Sequence, residues 1–109
     1  MAKATSSKAS NQPSDGLPVA ANGTDLSACA NGNCEVRVDG PTTIPVPGFS
    51  RINNVRIEQI IPGMVTASTT VFGLPVFSST AVGGTIALNG LNVKIVAVHG
   101  NSAVLRLST

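Results

Sequence analysis

The chain has 109 residues and a formal net charge of +2, and its seven Lys and Arg residues are spread singly along it. Nucleic-acid-binding proteins usually carry a basic stripe, and single-strand binders add stacking aromatic rings, whereas this sequence has three Phe and no Trp or Tyr. We therefore expect no nucleic-acid partner, and because no uninterrupted run of about 18 apolar residues occurs, we expect no membrane span either.

Residues 1–24 are rich in Ser, Ala, Asn, Gly and Pro and contain few large apolar side chains. Such a segment cannot recover its ordering entropy by burial, so we predict a flexible linker over 1–24 and a β-domain over 25–109. The opening residues lack the apolar core of a signal peptide. We expect the chain to be part of a longer exported precursor, with the linker tethering the domain to an anchor or another domain.

Cys29 and Cys34 enclose Asn31-Gly32, a pair typical of a two-residue hairpin turn. In that hairpin the two cysteines form a non-hydrogen-bonded pair with Cα atoms about 4.5 Å apart, close enough for a disulfide. The alternatives are half a zinc site, for which the chain offers too few ligands, or two free thiols. A disulfide is the preferred reading, and it indicates an oxidising, extracytoplasmic setting.

From Leu26 onwards, strand-like runs alternate with turn signals every eight to twelve residues, which is typical of a sandwich or barrel. We therefore predict an all-β fold, either a small antiparallel β-sandwich or a barrel-like meander, with a disulfide-stapled N-terminal hairpin. The predicted strands are Cys34–Val38, Thr42–Val46, Asn54–Ile60, Met64–Phe72, Val76–Thr80, Thr85–Asn89, Leu91–His99 and Ala103–Ser108.

The C-terminal meander gives the most specific register. Asn89-Gly90 predicts a type I′ turn that pairs Leu88 with Leu91 and places alternate apolar residues on one face. For the next turn, a two-residue loop would place Arg106 opposite Ile95 on the apolar face. We therefore prefer a three-residue loop over 100–102 with a bulge, and we expect this central region to be covered on both faces.

Reactive groups are sparse. His99 is the single histidine and lies beside a glycine turn, with no Ser, Cys or carboxylate at a recognisable catalytic spacing. The five acidic residues form no pair typical of glycosidases or metal sites. We expect no enzyme, no catalytic residues, no metal and no cofactor.

The second half of the chain is poor in charge. After Glu58, Lys94 and Arg106 are the remaining charged residues, whereas the outer face of a small sheet usually carries more. Ser, Thr and Asn could solvate that face instead. The sharper interpretation is an exposed apolar interaction surface formed by Phe72, Leu74 and Phe77.

The strings C-A-N-G-N-C-E-V-R-V-D-G-P and T-I-A-L-N-G-L-N-V-K-I-V-A-V-H-G-N-S-A-V-L-R-L resemble small β-domains of actinobacterial exported or membrane-anchored proteins. The likeness spans about residues 26–108 and rests on turn and strand patterns. It implies an extracytoplasmic β-domain and no catalytic residues.

Two functional hypotheses follow. The first is a non-catalytic extracytoplasmic interaction or sensor module, tethered by its linker and binding a protein partner. The alternative is a self-assembling structural or cell-surface subunit. A small hydrolase that uses His99 ranks third.

Overall fold

A computed structural model of the chain describes residues 16–109, so the first fifteen residues of the predicted linker lie outside the described part. Within that part the fold is all-β apart from one 3-10 helix, which confirms the predicted class. The elements are the 3-10 helix Leu26–Cys29 and the strands β1 Cys34–Val38, β2 Thr42–Pro45, β3 Asn54–Ile61, β4 Met64–Val71, β5 Leu74–Ala81, β6 Thr85–Leu88, β7 Leu91–His99 and β8 Ser102–Ser108.

The strands form two antiparallel four-stranded sheets. The first has the order β1-β8-β7-β6 and the second the order β2-β3-β4-β5. Alternate apolar residues of both sheets meet in one core, among them Ile44 and Ile57 of the second sheet and Ile95 and Leu105 of the first. Burial of these branched side chains stabilises the fold in the absence of Trp or Tyr.

Cys29 and Cys34 are joined by a disulfide with Cα atoms 4.9 Å apart. The predicted hairpin around it is wrong, because the residues before Cys29 form the 3-10 helix instead of a strand arm. Asp25 caps this helix by accepting the N–H of Ser27 at 3.1 Å. In a hairpin these two polar side chains would face the buried side of β1, and residues 22 and 23 bond to that edge of β1 instead.

Residues 16–24, predicted to belong to the flexible linker, pack against the first sheet. Leu17 and Ala20 are buried against Val104, on the face of that sheet turned away from the core. The prediction of a linker over these residues is wrong because Leu17 supplies enough apolar surface to order the segment. This packing also explains how Val104 is buried on the outer face.

The same segment covers the edge of β1. The N–H of Asn22 donates to the carbonyl of Glu35 at 2.9 Å, and the N–H of Arg37 donates to the carbonyl of Gly23 at 2.8 Å. These bonds satisfy outward-facing backbone groups of β1 that an edge strand would otherwise leave open.

The β6–β7 hairpin has the predicted register. Leu88 pairs with Leu91 across Asn89-Gly90, and both turn residues have the positive φ that a type I′ turn requires, 51° and 95°.

The predicted three-residue loop between β7 and β8 is wrong. His99 pairs directly with Ser102, which leaves a two-residue turn over Gly100-Asn101. Gly100 has a φ of 61°, as expected at the first central position of a type II′ turn.

The additional residue that was expected in this loop forms a bulge inside β7 instead. The register of β7 and β8 shifts between Ile95 and Ala97, so that Ile95 faces Leu105 and Arg106 faces Lys94 on the outer side. A bulge at this point keeps Arg106 off the apolar face, as the longer loop would also do.

Candidate interaction surface

Strands β4 and β5 form a hairpin whose two-residue turn is Phe72-Gly73, with Val71 paired to Leu74. Both turn residues have positive φ, 52° at Phe72 and 78° at Gly73, the geometry of a type I′ turn. Positive φ is rare for a bulky residue, because the Cβ atom crowds the following carbonyl oxygen. Phe72 is therefore held in an unfavourable backbone conformation.

A second turn of the same molecule serves as an internal reference. The β6–β7 hairpin has the same two-residue geometry, with Asn89 at a φ of 51° in the position equivalent to Phe72. Asn is favoured there, and Asn89 also donates its side-chain amide to the carbonyl of Arg51 at 3.1 Å. The fold therefore gives no reason to have Phe rather than Asn at position 72.

The side chains around this turn are exposed and apolar. Phe72 is 99% exposed, Leu74 68% and Phe77 61%, and the neighbouring Val76 is 38% exposed. A side chain as exposed as that of Phe72 buries almost no apolar area and therefore adds almost nothing to the stability of the fold. We use the name hairpin tip for Phe72, Leu74 and Val76.

The three residues singled out in the sequence lie on one hairpin but on two of its faces. Leu74 pairs with Val71, and Phe77 pairs with Ser68 on the opposite face. The structure thus brings Phe72 and Leu74 together at the tip and places Phe77 farther along β5. Val76 was missed, although its position two residues after Leu74 puts it on the same face of a strand.

The hairpin tip lies beyond the rest of its sheet. The ladder between β3 and β4 ends at the pair Arg56–Ser68, whereas β4 and β5 stay paired as far as Val71 and Leu74. The side chain of Thr69 donates to the carbonyl of Asn54 at 2.7 Å and anchors the hairpin where it leaves β3. The turn is therefore presented on a fixed base.

Strand β5 contributes no buried residue to the core. Its eight residues are held by the ladder to β4, and no residue from Met64 to Ala81 is charged. In a strand that only solvates an edge, charged residues would be expected.

The structure also brings His99, Ser102 and Asp39 onto neighbouring strand ends. His99 and Ser102 pair across the β7–β8 turn, and the hydroxyl of Ser102 donates to Asp39 at 2.7 Å. A catalytic serine needs its hydroxyl on the histidine, with the carboxylate behind the ring. Here the hydroxyl is bonded to the carboxylate itself, which also pairs with Arg37 at 2.9 Å.

Glu35 links three parts of the first sheet. It accepts a bond from Arg106 of β8 at 2.7 Å and another from the N–H of Ala21 at 2.9 Å. The hydrogen bond from Arg106, followed by that from Ala21, holds the pKa of this carboxyl below its usual 4.5. This cluster ties the N-terminal segment to β1 and β8 and leaves no unpaired charge.

The pKa of Glu58 is also lowered from its usual 4.5. The hydrogen bond from Ser68 and then that from Arg56 lower the pKa of its carboxyl. Both partners lie on β3 or β4, so this network stabilises the base of the β4–β5 hairpin. Across residues 16–109 no three His, Cys, Asp or Glu side chains are grouped as metal ligands.

Over the same residues, no helix is both long and apolar enough to span a membrane. The chain matches no family model, no curated protein and no solved structure.

Proposed function

We propose that the chain is a non-catalytic extracytoplasmic interaction module that presents its hairpin tip to a protein partner. The observation that carries this proposal is the conformation and exposure of Phe72, which has a φ of 52° and is 99% exposed. An unfavourable backbone conformation at a fully exposed aromatic side chain points to a role outside the fold. Aromatic anchors dominate the binding energy of many protein interfaces.

The extracytoplasmic part of the proposal is supported by the disulfide between Cys29 and Cys34. Such bonds persist in oxidising compartments and are rare in the cytosol. Tethering through the N-terminal linker and the likeness to exported actinobacterial β-domains belong to the same proposal. The expected readout is that neither cysteine reacts with a maleimide when cells are lysed in denaturant without reductant. Labelling of both cysteines would contradict this location.

The alternative function, a self-assembling structural or surface subunit, is favoured by a different feature, the uncharged exposed strand β5. A charged edge opposes pairing with other chains, and this one has no such guard. The two functions differ in the groups on which they depend, since partner binding is anchored on the ring of Phe72, whereas self-assembly depends on the backbone groups of the strand edge.

Photo-crosslinking in cells that make the protein tests the leading proposal. Photoreactive benzoylphenylalanine replaces Phe72 in one variant and Val19 in a control, where Val19 is 53% exposed in the segment that covers the other sheet. We expect one discrete crosslinked protein from position 72, competed by excess unmodified chain and absent from position 19. The same products from both positions, or none from position 72, would overturn the proposal.

A further inference from the structure

The outer edge of β5 is open, and two observations show which of its backbone N–H and C=O groups point away from the sheet. Val71 faces Leu74 across a two-residue turn, and the N–H of Val82 donates to the carbonyl of Gly63 at 3.1 Å. Bonds alternate along an antiparallel pair, so the even-numbered residues of β5 bond to β4. Pro75, Phe77, Ser79 and Ala81 therefore direct their backbone groups away from the sheet.

Two of these outward groups need no partner. Pro75 has no N–H, and the carbonyl of Ala81 already accepts the N–H of Gly84 at 2.9 Å. Phe77 and Ser79 make no backbone bond to another segment within residues 16–109. The edge thus offers a donor and an acceptor at each of Phe77 and Ser79.

The remaining edges of the two sheets are less available. The edge of β1 is covered by bonds from residues 22 and 23, and β2 and β6 have four residues each against eight in β5. β5 is the longest open edge of the described sheets.

We propose that the edge of β5 pairs antiparallel with the same edge of a second copy, about a two-fold axis at Ser78. In this register Phe77 of each copy faces Ser79 of the other, and each pair exchanges both backbone hydrogen bonds. Pro75 faces Ala81 of the second copy, so its missing N–H falls opposite the carbonyl already bonded to Gly84. The missing N–H of one copy therefore lies opposite a carbonyl of the other copy that needs no further bond.

A neighbouring register fits less well. With the axis at Phe77, the carbonyl of Ser79 would face Pro75 and find no donor, once in each copy. An unmatched carbonyl in a paired edge costs free energy. The distribution of donors and acceptors thus selects the axis at Ser78.

The side chains that would meet in this register also favour a second copy of the chain as the binding partner. On the outer face the two Phe77 rings become diagonal neighbours, about 7–8 Å apart in backbone position and within reach of each other. On the other face Leu74 comes opposite Val82 of the second copy, and both are exposed in the single chain. A two-fold contact sets like against like, and an uncharged strand does so without repulsion.

A cysteine scan read on non-reducing gels tests the axis. Residues 78 of the two copies form a non-hydrogen-bonded pair, whose Cα separation of about 4.5 Å suits a disulfide. We expect Ser78→Cys to form a covalent dimer on mild oxidation. Thr80→Cys is the matched control: residue 80 faces residue 76 of the second copy, so this variant should form no covalent dimer and should run as a monomer on the gel.

Sedimentation of the unmodified chain and two variants tests the edge itself. Ser79→Pro removes an outward N–H that β4 does not use, so it should abolish the dimer while the fold is kept; Ser79→Ala should dimerise. Circular dichroism checks that each variant folds. A wild-type chain that is monomeric at the highest soluble concentration overturns the proposal, as does equal crosslinking by Thr80→Cys.

This proposal does not depend on the ring of Phe72, although Leu74 of the hairpin tip takes part in the contact between copies. Phe72→Asn should leave dimerisation unchanged, and Ser79→Pro should leave crosslinking from position 72 unchanged. Failure of one proposal is therefore distinguishable from failure of the other. Binding of an unrelated extended peptide along β5 by a monomeric chain would also contradict the second copy as occupant.

Discussion

Phe72 occupies a position that backbone geometry favours for Asn or Gly. The equivalent position in the β6–β7 turn is Asn89, at nearly the same φ, 51° against 52°. Because the ring of Phe72 is exposed, no packing offsets the backbone strain. Stability thus favours Asn at position 72, whereas the proposed function assigns the Phe side chain to binding.

Replacing Phe72 by Asn should raise the free energy of unfolding by about 1 kcal/mol, since Asn tolerates the left-handed conformation better. Urea denaturation of the wild-type and variant chains measures this. Asn89→Phe is the reverse exchange at the reference turn, and it should destabilise by a similar or larger amount because the bond to Arg51 is also lost. A Phe72→Asn chain less stable than wild type would show that the ring supports the fold.

Glu35→Gln should lower stability at neutral pH by about 1 kcal/mol, a modest loss because solvent screens the half-exposed Arg106. The carboxyl has a lowered pKa in the folded chain. Its contribution is therefore complete above its ordinary pKa of 4.5 and is lost as the pH falls through the folded value. Urea midpoints over this range should show the gap between wild type and variant closing in acid; a gap independent of pH would contradict the assignment.

The sequence predicts much at the scale of single turns and pairs. Asn89-Gly90 determines a register because both φ angles are positive at residues that tolerate them. Phe72-Gly73 adopts the same turn, but Phe is not typical of its first position. The sequence therefore predicts that β5 begins at Val76, whereas it begins at Leu74. The wrong loop at Gly100 has a related cause: a bulge inside β7 restores the register as well as a longer loop does.

At the scale of elements, the disulfide joins the 3-10 helix to the start of β1. It closes a short loop, since the cysteines are five positions apart. The double variant Cys29→Ala/Cys34→Ala should lose about 2 kcal/mol of unfolding free energy by the loop-entropy relation and keep its β-sheet spectrum. Urea unfolding with and without reductant checks the same bond in the native sequence. Equal stability in both conditions would contradict its role as a staple.

Residues 16–24 are a structural part of the domain. Leu17 is 2% exposed, so Leu17→Ala should cost about 2 kcal/mol, at the low end for a buried leucine, because the site lies on an outer face. Val19→Ala is the matched control: that side chain is 53% exposed and should cost less than about 0.5 kcal/mol. Equal urea midpoints for the two variants would mean that the segment does not stabilise the sheet.

At the scale of the whole molecule, the sequence predicts the class and most strand limits, but not which strands meet. β1 finds β8 across about seventy residues, with Cys34 against Leu107, and no local pattern indicates this pairing. The hairpin around the cysteines was predicted because Asn31-Gly32 is a strong local signal. It fails because Asp25 and Ser27 would face the buried side of β1 across that hairpin; instead Asp25 caps the 3-10 helix, and residues 22 and 23 bond to the free edge of β1.

The two sheets also differ in how their charges are placed. In the first, Glu35 and Arg106 pair on the outer face beside the covering segment. In the second, the charges lie on β3, as in the pair Arg56–Glu58, and none lies on β4 or β5. The apolar end of the molecule is therefore the β4–β5 hairpin, and contacts with partners are expected there.

The most direct test is the affinity of the protein crosslinked at position 72 for the wild-type chain and for Phe72→Asn, measured by calorimetry. We expect binding at least about tenfold weaker for the variant, the loss that follows removal of an aromatic anchor, together with higher stability of the variant. Equal affinity of the two chains would contradict a binding role for Phe72.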